Sequence, residues 1–402
     1  MDKKKILLLS DDIRIPSGVG TMSREIVMGT LENFEWVQVG GAIKHPDEGK
    51  FIDMNESVRK ETGIKHAYLK IIPTSGYGTP ELLRHLITTE KPDAILHYTD
   101  PRFWEWLYRM EHEVRMQIPI FYYNIWDDLP YPMWNEPFYE SCDLIMNISK
   151  QTVNIVDNVR KIVPTNETNN TYVPHGINEK NFYPVDKNHK EWGDLLQFRR
   201  IVTDGRDYDF IVFWNNRNIR RKLPGDVILA FKTFCDMLPK DKSKKCALIM
   251  HTQPRDPNGT DLPEVVKNVC PDYDVIFSHQ KLNDFELSCL YNIADVTINM
   301  ASNEGFGLGT CESLMCGTPI SVNVTGGLQD QCGFKYKDKL LTYKDYSWVH
   351  SLHDEKKWKD NSDLTWVIGL NQYGHLIVVC KVQYLHHISL MIDQDLKILV
   401  ML

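Results

Sequence analysis

No apolar stretch in the 402 residues approaches the length needed to cross a bilayer, so a membrane-spanning role has no support. The opening MDKKKILLLSDD carries basic residues but too short an apolar run for a secretory signal, and it reads as a first strand. Nine cysteines are present without a single CxxC pair, which argues against a disulfide framework or a cysteine zinc site. An odd count with no leader points to reduced thiols in the cytosol, and Asn-x-Ser/Thr triplets such as that at Asn169 are then chance matches. Excess positive charge is also missing: at a net -8 there is no support for a non-specific nucleic-acid binder, although the basic cluster Arg217 to Lys222 needs its own explanation. What is present, 42% hydrophobic and 25% charged residues over this length, is ordinary for a globular chain with two or three domains and a large core.

The stretch around which the rest is organised is NEGFGLGTCESLMCGTPI, Asn303 to Ile320. Val296 to Met300 feeds it as a buried strand, and Ile320 to Val324 leaves it as the next. Gly305, Gly307 and Gly309 let backbone approach a ligand closely, and Glu312 to Met315 is helix material stopped by Gly317 and Pro319. A helix N-terminus therefore opens at a strand's carboxyl end, where open α/β sheets bind ligands and where free N–H groups suit a diphosphate. Carboxylates accept paired hydrogen bonds from neighbouring hydroxyls. With Glu304 before the helix and Glu312 inside it, the pattern suggests a sugar nucleotide, Glu304 towards the transferred sugar and Glu312 towards the ribose.

Elsewhere, apolar runs at Lys5 to Ser10, Trp36 to Gly40, His66 to Ile72, Ala94 to Tyr98, Ile118 to Tyr123 and Leu144 to Ile148 alternate with helical stretches, among them Met22 to Leu31 and a Thr79-capped helix from Pro80. This argues for a mostly parallel, doubly wound sheet. Two strand ends carry polar groups, His97 on one and Asp127 after the other, with Trp126, Tyr131 and Trp134 as candidates to stack on a sugar ring; core packing explains any of them equally well. Gly18 and Gly20 precede the first helix, too far from strand one for a dinucleotide fingerprint. The polar stretch 179–209 reads as an interdomain crossing. Phe210 to Trp214 opens a second α/β domain, followed by Arg217, Lys222 and a helix over Val227 to Leu238, with further strands at Cys246 to His251 and Val275 to Ser278. A helix end contributes about 0.3 to 1 kcal/mol towards an anion, or about 2 when partly buried. A departing diphosphate needs more, which fixed cations supply: Arg217 can grip two oxygens and Lys222 brings a compact charge.

The EGFG string with Glu312 eight positions after Glu304 resembles the retaining family-4 glycosyltransferases, the glycogen synthase or group 1 type. The resemblance implies an α/β GT-B fold, two Rossmann-like doubly wound domains facing across a cleft. It implies donor contacts from Gly305, Phe306, Gly307, Leu308 and Glu312, catalytic roles for Glu304, Arg217 and Lys222, and acceptor-side candidates in His97 and Asp127. The loop holding Gly18 and Gly20 resembles the family loop over the donor phosphates, Gly326 and Gly327 the family loop on the donor phosphate or sugar side, and His279 to Leu282 the loop around the base. TYVPHGIN resembles the segment closing the family's first domain, with His175 in place of an asparagine.

The boundaries expected are 1–178 for an acceptor-side domain, 179–209 for a linker, 210–332 for a donor domain and 333–402 for a divergent tail. The partners implied are a UDP-, GDP- or ADP-sugar and a glycan, lipid or protein acceptor, with no separate cofactor or metal, no nucleic acid, and peripheral contact as the form any membrane association would take. Three rivals stand beside this reading. One is a metal-dependent enzyme using an Asp-x-Asp triplet (Asp207/Asp209, Asp272/Asp274 or Asp393/Asp395), another a nicotinamide-dependent dehydrogenase, and the third a non-catalytic sugar-nucleotide or glycan-binding protein.

Overall fold

The computed structural model describes residues 3–161, 169–323, 325–332, 334–336, 339–340, 364–366, 390–393 and 398–401. The chain divides into two compact units between His175 and Gly176. In the first, the apolar runs become β1 (Lys4–Asp11), β2 (Phe34–Gly41), β3 (Ile52–Asp53), β4 (Leu69–Pro73), β5 (Ala94–Tyr98), β6 (Ile120–Asn124), β7 (Leu144–Asn147) and β8 (Asn170–Tyr172). They form one eight-stranded sheet in the order β3-β4-β2-β1-β5-β6-β7-β8. Every neighbouring pair is parallel except β3 with β4. Helices cover both faces of such a sheet, so its strands are apolar without alternation: Leu7, Leu8 and Leu9 are all fully buried.

Helix starts follow the capping residues. Thr79 caps Pro80–Glu90, and Ser149 caps Lys150–Arg160. Ser17 caps Gly18–Thr30, its side chain accepting from the Gly20 N–H at 3.0 Å. Gly18 and Gly20 therefore lie inside the first helical turn and not in a loop ahead of it, because the cap falls four residues earlier in the chain than the apolar pattern suggests.

The second unit holds β9 (Phe210–Asn215), β10 (Cys246–His251), β11 (Asp274–Ser278), β12 (Val296–Asn299) and β13 (Ile320–Val322), all parallel, in the order β11-β10-β9-β12-β13. The chain lays strands outward from β9 and then returns to β12 on the other side, so the winding reverses between them. The carboxyl ends of β9 and β12 consequently frame a topological switch point, the position where open α/β sheets hold ligands.

The stretch read as a linker contributes to this unit. Trp192–Val202 is a helix, and Phe182, Val185, Leu195 and Tyr208 are buried beside Ile211 and Phe213. Leu195 of that helix is buried outright, and Trp192, Phe198 and Val202 pack half-buried against the same core. Of 333–402, Phe334–Tyr336 pairs antiparallel with Lys339–Leu340 and Leu364–Trp366, and Leu390–Asp393 with Ile398–Met401. The remainder of that stretch, where a family-like closing helix would fall, lies outside the described residues.

Candidate active site at the switch point of the second unit

The loops that leave β9 and β12 are bonded to each other. The Ser302 N–H donates to the Arg221 carbonyl at 2.9 Å, and the Arg221 guanidinium donates to the Asn303 carbonyl at 2.7 Å. After β9 the chain makes a short 3-10 turn, Arg220–Lys222, and Leu223 takes φ +50° before Pro224 starts the next helix. A left-handed, non-glycine residue costs roughly 1–2 kcal/mol. That reversal stands directly beside Lys222, a lysine only 6% exposed. The Lys222 ammonium donates to Glu304 Oε2, and Asn299, the last residue of β12, donates to the same oxygen at 3.4 Å. Sequence positions 82 apart thus form a largely buried ion pair at the switch point.

Behind Glu304 the EGFG backbone turns into the helix Leu308–Met315, which begins at Leu308 and so takes Glu312 into its second turn. Its first N–H groups have no acceptor within the helix and face the start of the turn. The glycine pair expected as a second loop starts another helix instead, Gly326–Cys332. Its role is close backbone approach: the Gly327 N–H donates to the carbonyls of Glu304 and Gly305 at 3.0 and 3.1 Å. A Cβ at Gly326 would fall 2.0 Å from the Glu304 oxygen, and one at Gly327 2.4 Å from the Phe306 Cα. Gln331 completes the clasp, donating to the carbonyls of Phe306 at 2.7 Å and Gly307 at 2.9 Å.

Glu312 has a different environment from Glu304. Its Oε2 accepts from the Tyr291 hydroxyl at 2.6 Å, and that hydroxyl accepts from Asn215 Nδ2, at the end of β9, at 2.7 Å. Burial pushes the Glu312 carboxyl up to about 7, against the opposing effect of the Tyr291 hydrogen bond. The two glutamates therefore differ chemically: Glu304 is a carboxylate facing an ammonium, while Glu312 is a carboxyl held near neutrality by its surroundings.

Other predicted residues lie apart from this group. Arg217 is 62% exposed and paired with Asp256, Nε to Oδ2 at 2.9 Å, so its guanidinium does not join Lys222 on Glu304. Asn218 ties the same loop to 253–260, donating to the Thr260 carbonyl at 2.7 Å and accepting from the Thr260 N–H at 3.2 Å. Leu282 packs at the edge of the second core.

His97, expected on the acceptor side, lies in the core of the first unit. It is fully buried in the first unit, stacked on Tyr122 with ring centroids 5.0 Å apart, and bonded through Nδ1 to the Tyr108 hydroxyl at 2.6 Å. Burial lowers it to about 3, so it stays neutral inside the core. Asp127 is half-buried in the loop after β6, where its carbonyl accepts from Gln151 at 3.3 Å. In the same loop Trp126 packs edge-on against the exposed Trp134. His175 bridges the hydroxyls of Tyr123 at 2.8 Å and Tyr98 at 3.3 Å, a packing role within the first unit. Of the Asp-x-Asp triplets, Asp274 is engaged by Arg206 at 2.8 Å and the Tyr208 hydroxyl at 2.9 Å.

Sequence reasoning missed Asn215, Asn299, Tyr291 and Asp256. Asn215 and Asn299 carry a usable signal, a polar residue closing an apolar strand at its carboxyl end. Tyr291 and Asp256 carry none, since each meets its partner only through the fold.

No protein-family model and no curated protein sequence matches the chain. Solved structures match it in shape. HepE of Anabaena, in complex with UDP-glucose, aligns with a TM-score of 0.59 at 13% identity, covering 88% of this chain and 90% of that one. A glycosyltransferase from Rickettsia africae gives 0.60 at 14% identity over 89% and 91%, and sucrose-phosphate synthase from Thermosynechococcus elongatus 0.58 at 16% over 89% and 92%. At these identities the likeness is one of fold, and the fold is GT-B, two Rossmann-like α/β domains in one chain.

Proposed function

We propose that the protein is a glycosyltransferase of the retaining, family-4 kind, moving a sugar from a nucleoside-diphosphate sugar to an acceptor hydroxyl. The observation that carries the reading is the Lys222–Glu304 pair beside the opening of the Leu308–Met315 helix, at the switch point of the second sheet. Three features there suit the donor. The helix start and Lys222 meet the diphosphate, Glu304 meets sugar hydroxyls, and Glu312 meets the ribose. The fold shared with HepE, itself solved with UDP-glucose, supports this choice of donor.

On this reading the bond from the anomeric carbon to the diphosphate breaks while the acceptor oxygen bonds to that carbon on the same face. The acceptor's proton passes to the departing diphosphate. Lys222 is drawn from Glu304 to the phosphate oxygens, where a buried cation counts for more than one in water. Arg217 joins it by leaving Asp256, a move open to an exposed side chain. Neither a protein nucleophile nor a metal has a step in this scheme, and unchanged turnover after chelation is the outcome it requires. We place the reaction in the cytosol, in keeping with the cysteine pattern, with any membrane contact peripheral.

Glu304→Gln and Lys222→Ala are each expected to lower turnover roughly 100-fold while circular dichroism stays that of the parent chain. Parental turnover in both variants contradicts the assignment. One observation favours a second reading, a protein that binds donor without transferring it: Arg217 is turned onto Asp256. Donor binding with neither hydrolysis nor transfer to any glycan, lipid or protein acceptor would select it.

A further inference from the structure

The Tyr291 hydroxyl sits between two groups that fix its direction. Asn215 Nδ2 can only donate, so the hydroxyl accepts at 2.7 Å and spends its single proton on Glu312 Oε2 at 2.6 Å. The ring is fully buried and packed edge-on to Phe213 with centroids 5.0 Å apart and to Phe182 at 6.1 Å. Its backbone is held as well, the Tyr291 carbonyl accepting from the Thr318 hydroxyl at 2.7 Å. Gly309, one turn before Glu312, leaves room for the relay, because a Cβ there would stand 3.0 Å from the Tyr291 oxygen and 3.3 Å from the Asn215 carbonyl. The other Glu312 oxygen, Oε1, takes no hydrogen bond from any described residue.

We infer that Asn215 and Tyr291 are positioning residues that lock one oxygen of Glu312 and present the other to the ribose hydroxyls of a ribonucleoside diphosphate. The inference rests on the donor reading above and extends it from Glu312 to two residues that touch no ligand. The relay makes the site selective for ribose over a sugar lacking those hydroxyls. A site built to accept a hydrogen bond loses affinity for a ligand that cannot donate one, as its buried polar group is then left unpaired.

The test is calorimetric titration of the whole chain with UDP, GDP and ADP and with the 2′,3′-dideoxy form of each. The parent chain is expected to bind one ribonucleotide at least about 10-fold more tightly than its dideoxy form, the scale of one charge-assisted hydrogen bond. Tyr291→Phe is expected to bring that preference within about threefold while leaving dideoxy affinity unchanged, a pattern that general loss of packing would not give. Asn215→Asp serves as a second variant, since the new carboxylate competes for the tyrosine's proton, and the same collapse of preference is expected. A parental ribose preference retained in both variants overturns the relay while leaving the donor reading intact. Binding of none of the three nucleotides by the parent chain overturns the donor reading itself.

Discussion

Glu304 and Glu312 show how two identical side chains eight positions apart acquire different chemistry from their neighbours. Lys222 keeps Glu304 beside a cation, whereas burial raises the Glu312 carboxyl from an ordinary 4.5 to about 7, against the opposing hydrogen bond from the Tyr291 phenol. In the folded chain Glu312 holds its proton through the interval from 4.5 to 7, where the unfolded chain has released it. Its contribution to stability therefore declines as pH rises through that interval. The ribose binding proposed for Glu312 runs the other way, because the ionised carboxylate is the stronger acceptor. The ratio of nucleotide affinity between the parent chain and Glu312→Gln is expected to be largest at pH 8 and to shrink towards unity at pH 5.5; a constant ratio contradicts it. Both glutamates are legible in the sequence, standing in a Gly-rich string between two apolar runs. Their partners are less so, since Tyr291 and Lys222 lie 21 and 82 positions away and only the sheet order brings them near.

At the scale of elements, the strands are readable because a parallel sheet covered on both faces demands unbroken apolar runs, and Ala94–Tyr98 and Cys246–His251 fall where the sequence places them. Elements held by tertiary contact are not readable in this way. Trp192–Val202 buries only Leu195 outright and sets Trp192, Phe198 and Val202 half-buried against the same core, within a stretch rich in charged residues, and the Gly326–Gly327 pair looks like a loop until the EGFG backbone is seen against it. That contact yields a comparison between two glycines. Gly326 adopts φ +45° with the Glu304 carbonyl where a Cβ would go, while Gly29, inside Gly18–Thr30, has nothing within 4 Å of its would-be Cβ. Gly326→Ala is expected to destabilise the second unit and to weaken nucleotide binding at least about 10-fold, although residue 326 makes no ligand contact in this account. Gly29→Ala is expected to be neutral or to add up to about 1 kcal/mol, because it removes unfolded-chain freedom without a clash. Urea midpoints and nucleotide titration of both variants check the pair, and equal effects contradict the packing argument.

The whole molecule is two doubly wound units with different uses for their buried polar residues. In the first, His97 and His175 serve as neutral partners for tyrosines, lowered by burial to about 3 and about 4. Such groups gain protons on unfolding, so the stability they support is present above about 6.5 and is lost as pH falls towards their folded values. Each histidine contributes a slope of at most roughly 1.4 kcal/mol per pH unit. The urea midpoint should therefore fall between pH 7 and pH 5, and fall less steeply in His97→Gln; an unchanged slope contradicts the assignment of His97 to the core. In the second unit the buried Lys222 and Asn299 instead meet Glu304 at the sheet's switch point, and the functional account depends on what binds there. A thermal-shift screen of UDP-, GDP- and ADP-sugars identifies the donor, since a ligand at a hundred times its dissociation constant adds about 2.7 kcal/mol. The decisive measurement is a crystal structure with that donor. The account predicts the diphosphate at the start of the Leu308–Met315 helix within hydrogen-bond distance of the Lys222 ammonium, with the ribose on Glu312. A nucleotide bound elsewhere, with the Lys222–Glu304 pair undisturbed, contradicts it.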